Sequence, residues 1–495
     1  MIKVFLGDQS FSYDVHSLVK AFFPSEDVTV KDIENQNCAN SEPQVFVVDY
    51  VEDGDRVACF VLENGIEINR EYADISGLDR PDVKSAMKKA LYRLLGEYTH
   101  QKLPWGTLTG IRPTKIPMKL MTEGCSDDSI YKYMTGEYFV SSDKIKLSTE
   151  IAHLERKIID STHKTDGYSL YVGIPFCPTT CMYCSFTSYP IVKFKDLVDK
   201  YLDTLEKEFC EVSKLNLGKI LDSVYIGGGT PTTLEPRQIE RLDKMLRKYF
   251  DFSSVLEYTM EAGRPDSLTE EKLYSMKQCG IGRISVNPQT MHDETLKIIG
   301  RRHTVEDTIR AFKMARDAGF DNINMDIILG LPGEDILKVK DTLTRISELG
   351  PDSLTVHSMA IKRAAGMHQF LMEHEEIKSI NTPEMMDMAI SYAENMGLMP
   401  YYLYRQKNMA GNLENIGFAE EGKFGLYNIL IMEEVQSIVA CGAGTVTKRV
   451  FSNNDVLYNE NGVGRIERCD NVKDVTLYID KIDDMIERKR ELFNL

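Results

Sequence analysis

The stretch Tyr171-Val172-Gly173-Ile174-Pro175-Phe176-Cys177-Pro178-Thr179-Thr180-Cys181-Met182-Tyr183-Cys184-Ser185-Phe186 places three cysteines within eight residues, directly after a short β-like run. Thiols that close together point to a metal. A structural zinc asks for four protein ligands, and no fourth Cys or His stands within ten residues of Cys184, so a closed tetrahedral site is poorly served. A four-iron cluster is better served, because Cys177, Cys181 and Cys184 ligate three irons and the fourth keeps an open position for chemistry. The residues alone leave three alternatives: an accidental cysteine cluster, a Cys181-x-x-Cys184 redox pair, or a zinc knuckle completed from a distant segment.

Outward from the cysteines, between Tyr168 and about Ile361, strand and helix alternate. The pattern predicts strands at 169–172, 223–226, 257–261, 283–287, 322–329 and 353–357, with helices at 194–215, 236–249, 269–278, 305–317 and 335–349. Six strands, each followed by a helix or a return, predict a parallel α/β sheet. Periodicity leaves a doubly wound plane and a curved partial barrel equally open. Cys177, Gly227-Gly228-Gly229-Thr230, Glu261, Gln289 and Asp326 stand at or near the carboxyl end of a strand, the edge where α/β barrels gather their active sites. The glycine run either brings a ligand close to the backbone or makes a tight strand-to-helix turn. Glu261 and Asp326 are acids inside apolar strands, which burial allows only when they are paired or ligand-bound. Arg301, twelve residues after Gln289, is a candidate for meeting a carboxylate.

The flanks read differently. Residues 1–165 form an α+β amino-terminal domain, with strands expected at 2–6, 44–50 and 56–63, an Asp53-Gly54 turn between the last two, an amphipathic helix over 81–100 and a polar helical stretch over 141–161. Between them, the Gly- and Pro-rich run from Leu103 to Pro117 holds the only tryptophan, with Arg112 and Lys115 as anion candidates or plain solvated charges. Residues 362–495 form a mainly helical extension in which strand–helix alternation stops, with a helix over 382–396 and a peripheral one over 475–492. The 495 residues carry 59 basic and 76 acidic side chains, a formal charge of −17, which argues against a nucleic-acid surface. No run of about 18 apolar residues is present and the amino terminus does not read as a signal peptide, so a cytoplasmic location is expected. The seven other cysteines show no pairing rhythm and read as free thiols.

The C-x-x-x-C-x-x-C spacing after a strand and Ile174-Pro175-Phe176 resembles the radical S-adenosylmethionine (SAM) superfamily. That resemblance implies a [4Fe-4S] cluster on Cys177, Cys181 and Cys184, SAM at the open iron, and a partial (β/α)6 TIM-like barrel over 166–361. Gly227-Gly228-Gly229-Thr230-Pro231-Thr232, Gln289 with Arg301, and Asp326-Ile327-Ile328-Leu329-Gly330-Leu331-Pro332 look like oxygen-independent coproporphyrinogen III oxidases (dehydrogenases), and the whole-chain plan looks closest to the HemZ-type branch. The resemblance implies that Tyr171, Gly228 and Glu261 line the SAM at the cluster. Tyr183, Gly229, Thr230, Gln289, Arg301, Asp326 and Ala360 match a second SAM site, and Val446 falls near a further SAM contact. It also implies a coproporphyrinogen III substrate, with Arg301, Arg363, Arg405 and Lys407 as candidates for its carboxylates, a low-potential donor such as flavodoxin or ferredoxin, and a monomer.

Two departures separate the readings. The oxidase pattern continues to a further cysteine where this chain has Phe186, as the related haem chaperones do. The His-Asn-x-x-Tyr-Trp element of those chaperones is missing, since Gly411-Asn412-Leu413-Glu414-Asn415-Ile416-Gly417 has neither His nor Trp. The expected activity is oxidative decarboxylation of coproporphyrinogen III to protoporphyrinogen IX without oxygen. The alternatives are a haem-binding carrier and a radical SAM methyltransferase that opens haem anaerobically. His357 is a possible haem ligand in the carrier reading, and otherwise a satisfied histidine at a strand end.

Overall fold

Apolar residues alternate along Ile2–Leu6, so Ile2, Val4 and Leu6 face one core while Phe5 joins Val45 and Val47 on the opposite side of the sheet. The computed structural model describes residues 1–24, 26–33, 44–51, 54–110, 112–215, 218–360, 366–374, 377, 379–405, 413–451 and 466–493. Cys38, Asp53, Arg363 and Lys407 therefore lie outside the described residues. The chain divides into two units, Met1–Ala152 with Tyr404–Glu414, and His153–Leu403 with Asn415–Leu495.

The first unit is built on a five-stranded sheet in the order Val28–Asp32, Ile2–Leu6, Gln44–Val51, Arg56–Glu63, Ile66–Asp74. Its larger core packs Val4, Leu6, Phe46 and Val48 against Val15 and Leu18 of the helix Ser12–Phe22 and Leu91, Leu94 and Leu95 of the helix Arg80–Thr99. The strands Val28–Asp32 and Ile66–Asp74 and the helix Ser12–Phe22 were not expected from sequence; both strands lie at sheet edges, where half-exposed residues blur the apolar alternation. Trp105 is fully buried. Its Nε1 donates to Glu414 Oε2 at 2.6 Å, and Lys144 Nζ donates to Glu414 Oε1 at 2.6 Å.

In the second unit, Gly167–Ile174, Ile220–Gly228, Glu257–Glu261, Arg283–Ser285, Ile323–Leu329 and Ser353–Ser358 lie side by side in sequence order, all parallel. A doubly wound sheet reverses its strand order at a switch point, and this one does not, so the winding is that of a barrel. Helices at Val198–Leu215, Pro236–Tyr249, Glu270–Gln278, Val305–Asp317 and Ile336–Leu349 return each strand to the same edge. Caps fix their starts: Thr304 and Asp307 bond reciprocally before Val305–Asp317, and Asp335 accepts from the backbone of Leu337 and Lys338.

The chain after residue 361 is mainly helical, but it adds strands that were not expected from sequence: Asn415–Ala419 pairs antiparallel with the sixth barrel strand, and Ser437–Cys441 pairs parallel with the first. Met399–Tyr404 and the hairpin Val446–Val450 with Ile466–Asp470 extend the sheet to eleven strands. The last helical stretch is two helices, Val475–Asp480 and Ile482–Phe493, and it is not peripheral. Lys489, fully buried, forms an ion pair with fully buried Glu208 of Val198–Leu215. Among the described residues no helix is long and apolar enough to cross a membrane.

Candidate functional site

The first barrel strand ends at Ile174, and Phe176-Cys177 then forms a two-residue ladder with Tyr189-Pro190. The cysteine loop between them is tied to its surroundings by backbone. Thr230 N donates to Phe176 O at 2.7 Å, Met182 N to Ile299 O at 3.1 Å, and Cys184 N to Cys181 O at 3.1 Å, while Thr179 Oγ1 donates to Gly300 O at 3.0 Å. Cys177 is buried, and Cys181 and Cys184 are half-buried. Burial pushes the Cys177 thiol up to about 11, against the lowering contact of the Thr230 hydroxyl, which donates to Cys177 Sγ at 3.4 Å. Burial likewise raises Cys184. Loading a metal must therefore drive protons off these thiols.

Three thiols on one anchored loop are the donor set of an iron–sulfur cluster. Among the described residues no three His, Cys, Asp or Glu side chains converge as ligands of a single ion, whereas a cuboidal cluster asks each sulfur for a different iron. The glycine run fits the same reading. Gly228 has φ +105°, a conformation open to glycine, and a Cβ on Gly229 would stand 2.7 Å from Phe176 O and 3.0 Å from Cys177 Sγ. No side chain can stand between this turn and the cysteine loop.

Next to the turn, a Cβ on Gly227 would meet the Glu261 carboxyl at 3.0 Å. Tyr225 Oη donates to Glu261 Oε1 at 2.7 Å, and burial pushes the Glu261 carboxyl up to about 7, Asp326 adding to the rise. Tyr171, Tyr225 and Tyr427 pack mutually, Tyr171 with its ring centroid 5.9 Å from Tyr225 and 5.8 Å from Tyr427, and the last two with centroids 4.5 Å apart. For Asp326, burial pushes upward but His357, Asn324 and Thr355 outweigh it and hold the carboxyl below its ordinary value. Its partner His357 has Nε2 at 3.7 Å from Asp326 Oδ2.

Gln289 sits at φ +67°, bridged to Ile327, with its backbone N donating to Asp326 O at 2.9 Å. Arg301 is 6% exposed, but among the described residues it meets no carboxylate. Its Nη1 donates to Asn287 O and, at 3.4 Å, to Gly263 O, and its Nη2 donates to Tyr183 Oη at 3.2 Å. Among the described residues, the buried polar atoms around the strand ends that lack a protein partner include Asn287 Oδ1, Gln289 Oε1 and Arg301 Nε. Orphaned polar atoms cost about 1–3 kcal/mol each unless a ligand or water meets them, and a cofactor rich in amino, carboxylate and hydroxyl groups suits them.

Thus the cysteines, Tyr183, Gly228, Gly229, Thr230, Glu261, Gln289 and Arg301 stand at the carboxyl edge of the parallel strands or on the loops leaving it, while Tyr171 and Asp326 lie within the strands Gly167–Ile174 and Ile323–Leu329, so Asp326 stands mid-strand and not at the strand end expected from sequence. Ala360 is half-buried, two residues past the sixth strand. Arg405 belongs to the first unit, is 3% exposed, and donates from Nη1 to Leu108 O at 2.6 Å. Val446, 37% exposed, begins a strand of the late hairpin. Tyr225, Tyr427, Asn287 and Arg264 were not singled out from sequence. Tyr225, two residues before the glycine run and on the same strand, carried the one usable signal.

Residues 171–346 match the family described as the Radical SAM superfamily. The chain is 38% identical over 411 residues to the oxygen-independent coproporphyrinogen-III oxidase-like protein HemZ of Bacillus subtilis, spanning 82% of this chain and 80% of that one. The heme chaperone HemW of Bacillus subtilis is 36% identical over 195 residues, 39% of this chain and 51% of that one. The oxygen-independent coproporphyrinogen III oxidase of Escherichia coli is 34% identical over 192 residues, 39% of this chain and 42% of that one. The solved structure of the Escherichia coli coproporphyrinogen III oxidase (HemN) aligns with a TM-score of 0.47 at 21% identity, covering 69% of this chain and 81% of that one.

Proposed function

This chain belongs to the family of the oxygen-independent coproporphyrinogen-III oxidase-like protein HemZ, within the radical SAM superfamily, and from that premise we propose that it converts coproporphyrinogen III to protoporphyrinogen IX without oxygen. Each of two propionate side chains becomes a vinyl group, losing a hydrogen atom, carbon dioxide and one electron, the electron going to an external acceptor. The observation that supports this reading is reach: likeness to the oxidase-like protein HemZ runs through 82% of the chain, whereas the oxidase and the chaperone each match through 39%.

A [4Fe-4S] cluster and SAM are the cofactors of this superfamily, and together they supply hydrogen-atom abstraction under reducing conditions. Cys177, Cys181 and Cys184 would hold the cluster. Glu261, set where Gly227 leaves room, would accept from the ammonium of SAM or from its ribose hydroxyls, with Tyr171 and Gly228 lining the same place. The orphaned Gln289 Oε1 and Arg301 Nε, with Tyr183, Gly229, Thr230, Asp326 and Ala360, would meet a second SAM. The buried strand ends would exclude water from the reacting carbon.

The second reading, a haem carrier, is favoured by Phe186, which stands 73% exposed where the oxidase pattern has a cysteine. One anaerobic assay separates the two, using reconstituted protein, SAM, a low-potential reductant and coproporphyrinogen III. Protoporphyrinogen appearing together with 5′-deoxyadenosine, and both vanishing in Cys181→Ala, is the expected result. Deoxyadenosine without porphyrin turnover, together with stable haem binding, would favour the carrier.

A further inference from the structure

Three residues after Glu261 the chain reads Arg264-Pro265-Asp266, and this short turn reaches the cysteine loop. Arg264 is 4% exposed. Its Nη1 lies 3.4 Å from Cys181 Sγ and donates to Thr179 O at 3.2 Å, while Nη2 donates to Thr179 Oγ1 at 3.0 Å. The Asp266 carboxylate grips the same guanidinium from the other side, Nε to Oδ1 at 3.0 Å and Nη2 to Oδ2 at 2.8 Å. Behind it, His303 Nδ1 lies 3.8 Å from Asp266 Oδ1, with its side chain fully buried.

Asp266 and Thr179 satisfy most of the guanidinium, which leaves one N–H facing the Cys181 sulfur. A protonated cysteine sulfur is a weak acceptor and gives little in return for desolvating a cation. A metal-bound thiolate is anionic, and an N–H from a fixed guanidinium suits it. The geometry fits the loaded loop better than the empty one.

We propose that Arg264 is a positioning residue that sets the reduction potential of the cluster carried by Cys177, Cys181 and Cys184, with Asp266 moderating its charge. The inference rests on the ligand assignment under the proposed function. Hydrogen bonds to ligand sulfur and nearby positive charge stabilise the added electron, and a nearby carboxylate opposes it. The couple concerned is a one-electron reduction of the bound cluster, with dithionite as donor, that leaves it one charge more negative.

The test is a potentiometric titration of the reconstituted full chain with dithionite, followed by electron paramagnetic resonance of the reduced state. Arg264→Gln is expected to shift the midpoint to more negative potential, Asp266→Asn to more positive potential, and Arg264→Lys to a value between Arg264→Gln and wild type. Opposite shifts cannot come from general loosening of the loop, which moves both variants together. Unshifted midpoints, or shifts of the same sign, overturn the proposal. If Arg264→Gln retains no iron, Asp266→Asn decides alone, and an unmoved or more negative midpoint overturns it. Failure of the wild type to assemble any cluster instead removes the ligand assignment, and is read separately from iron content.

Discussion

Glu261 faces Tyr225 and the glycine turn with a carboxyl raised from 4.5 to about 7. A raised carboxyl is neutral at low pH in both folded and unfolded chains, so it costs nothing there. As pH climbs from about 4.5 through about 7, the unfolded chain ionises first and folding stability falls. The shift corresponds to at most about 3 kcal/mol. Glu261→Gln should remove this slope, so denaturant unfolding of the ligand-free protein should show the variant gaining on wild type between pH 5 and pH 8. Affinity for SAM should run the other way, strengthening with pH in wild type and staying flat in Glu261→Gln by titration calorimetry. The site was unequally legible at this scale. The cysteines declare themselves because their spacing is local, and the acids because a charge in an apolar strand needs a reason. Arg264 and Asn287 do not, since their partners, Thr179 and Cys181 for one and Arg301 for the other, come from separate elements.

Between elements, the last helix is fastened through charge. Fully buried Glu208 meets Lys489 and accepts from Gly442 N at 2.8 Å, Asn471 Nδ2 at 2.8 Å and Tyr478 Oη at 2.5 Å. Lys489→Met leaves that carboxylate buried without its cation and should cost about 3–5 kcal/mol of unfolding free energy, with much of it regained in Lys489→Met/Glu208→Gln. The turn after the second strand is limited by space instead. Gly229→Ala drives a methyl against Phe176 O and Cys177 Sγ, so reconstituted protein should hold less iron while far-ultraviolet circular dichroism stays unchanged. The six barrel strands were readable because each is an apolar run set off by a helix. Ser437–Cys441 is just as apolar, buried at all five positions, and follows the helix Leu426–Glu433, but its parallel partner is the first barrel strand. Periodicity carries no information about a pairing between residues so far apart in sequence, which is why the extension read as helical.

On the scale of the whole molecule, the single tryptophan is an unusually selective reporter. Trp105, Lys144 and Glu414 all belong to the first unit, while the cysteines belong to the second. Glu414→Ala removes the carboxylate that accepts from the Lys144 ammonium and the indole N–H, and should lower the urea midpoint read by tryptophan fluorescence more than the midpoint read by the cluster's visible absorbance. The division into units was only partly legible, because Tyr404–Glu414 returns to the amino-terminal unit from late in the chain. The same late return governs the first barrel strand, which lies between Ile220–Gly228 and Ser437–Cys441. Tyr201 Oη bonds Gly173 O at 2.6 Å and receives Ala443 N at 3.0 Å, and Gly442 is held by Glu208, whose cation is Lys489. During synthesis the cysteine loop leaves the ribosome hundreds of residues ahead of the strand and lysine that complete its support. Stable cofactor retention should thus wait for residues 437–489, and a nascent chain stalled before residue 437 should carry the three cysteines without retaining iron.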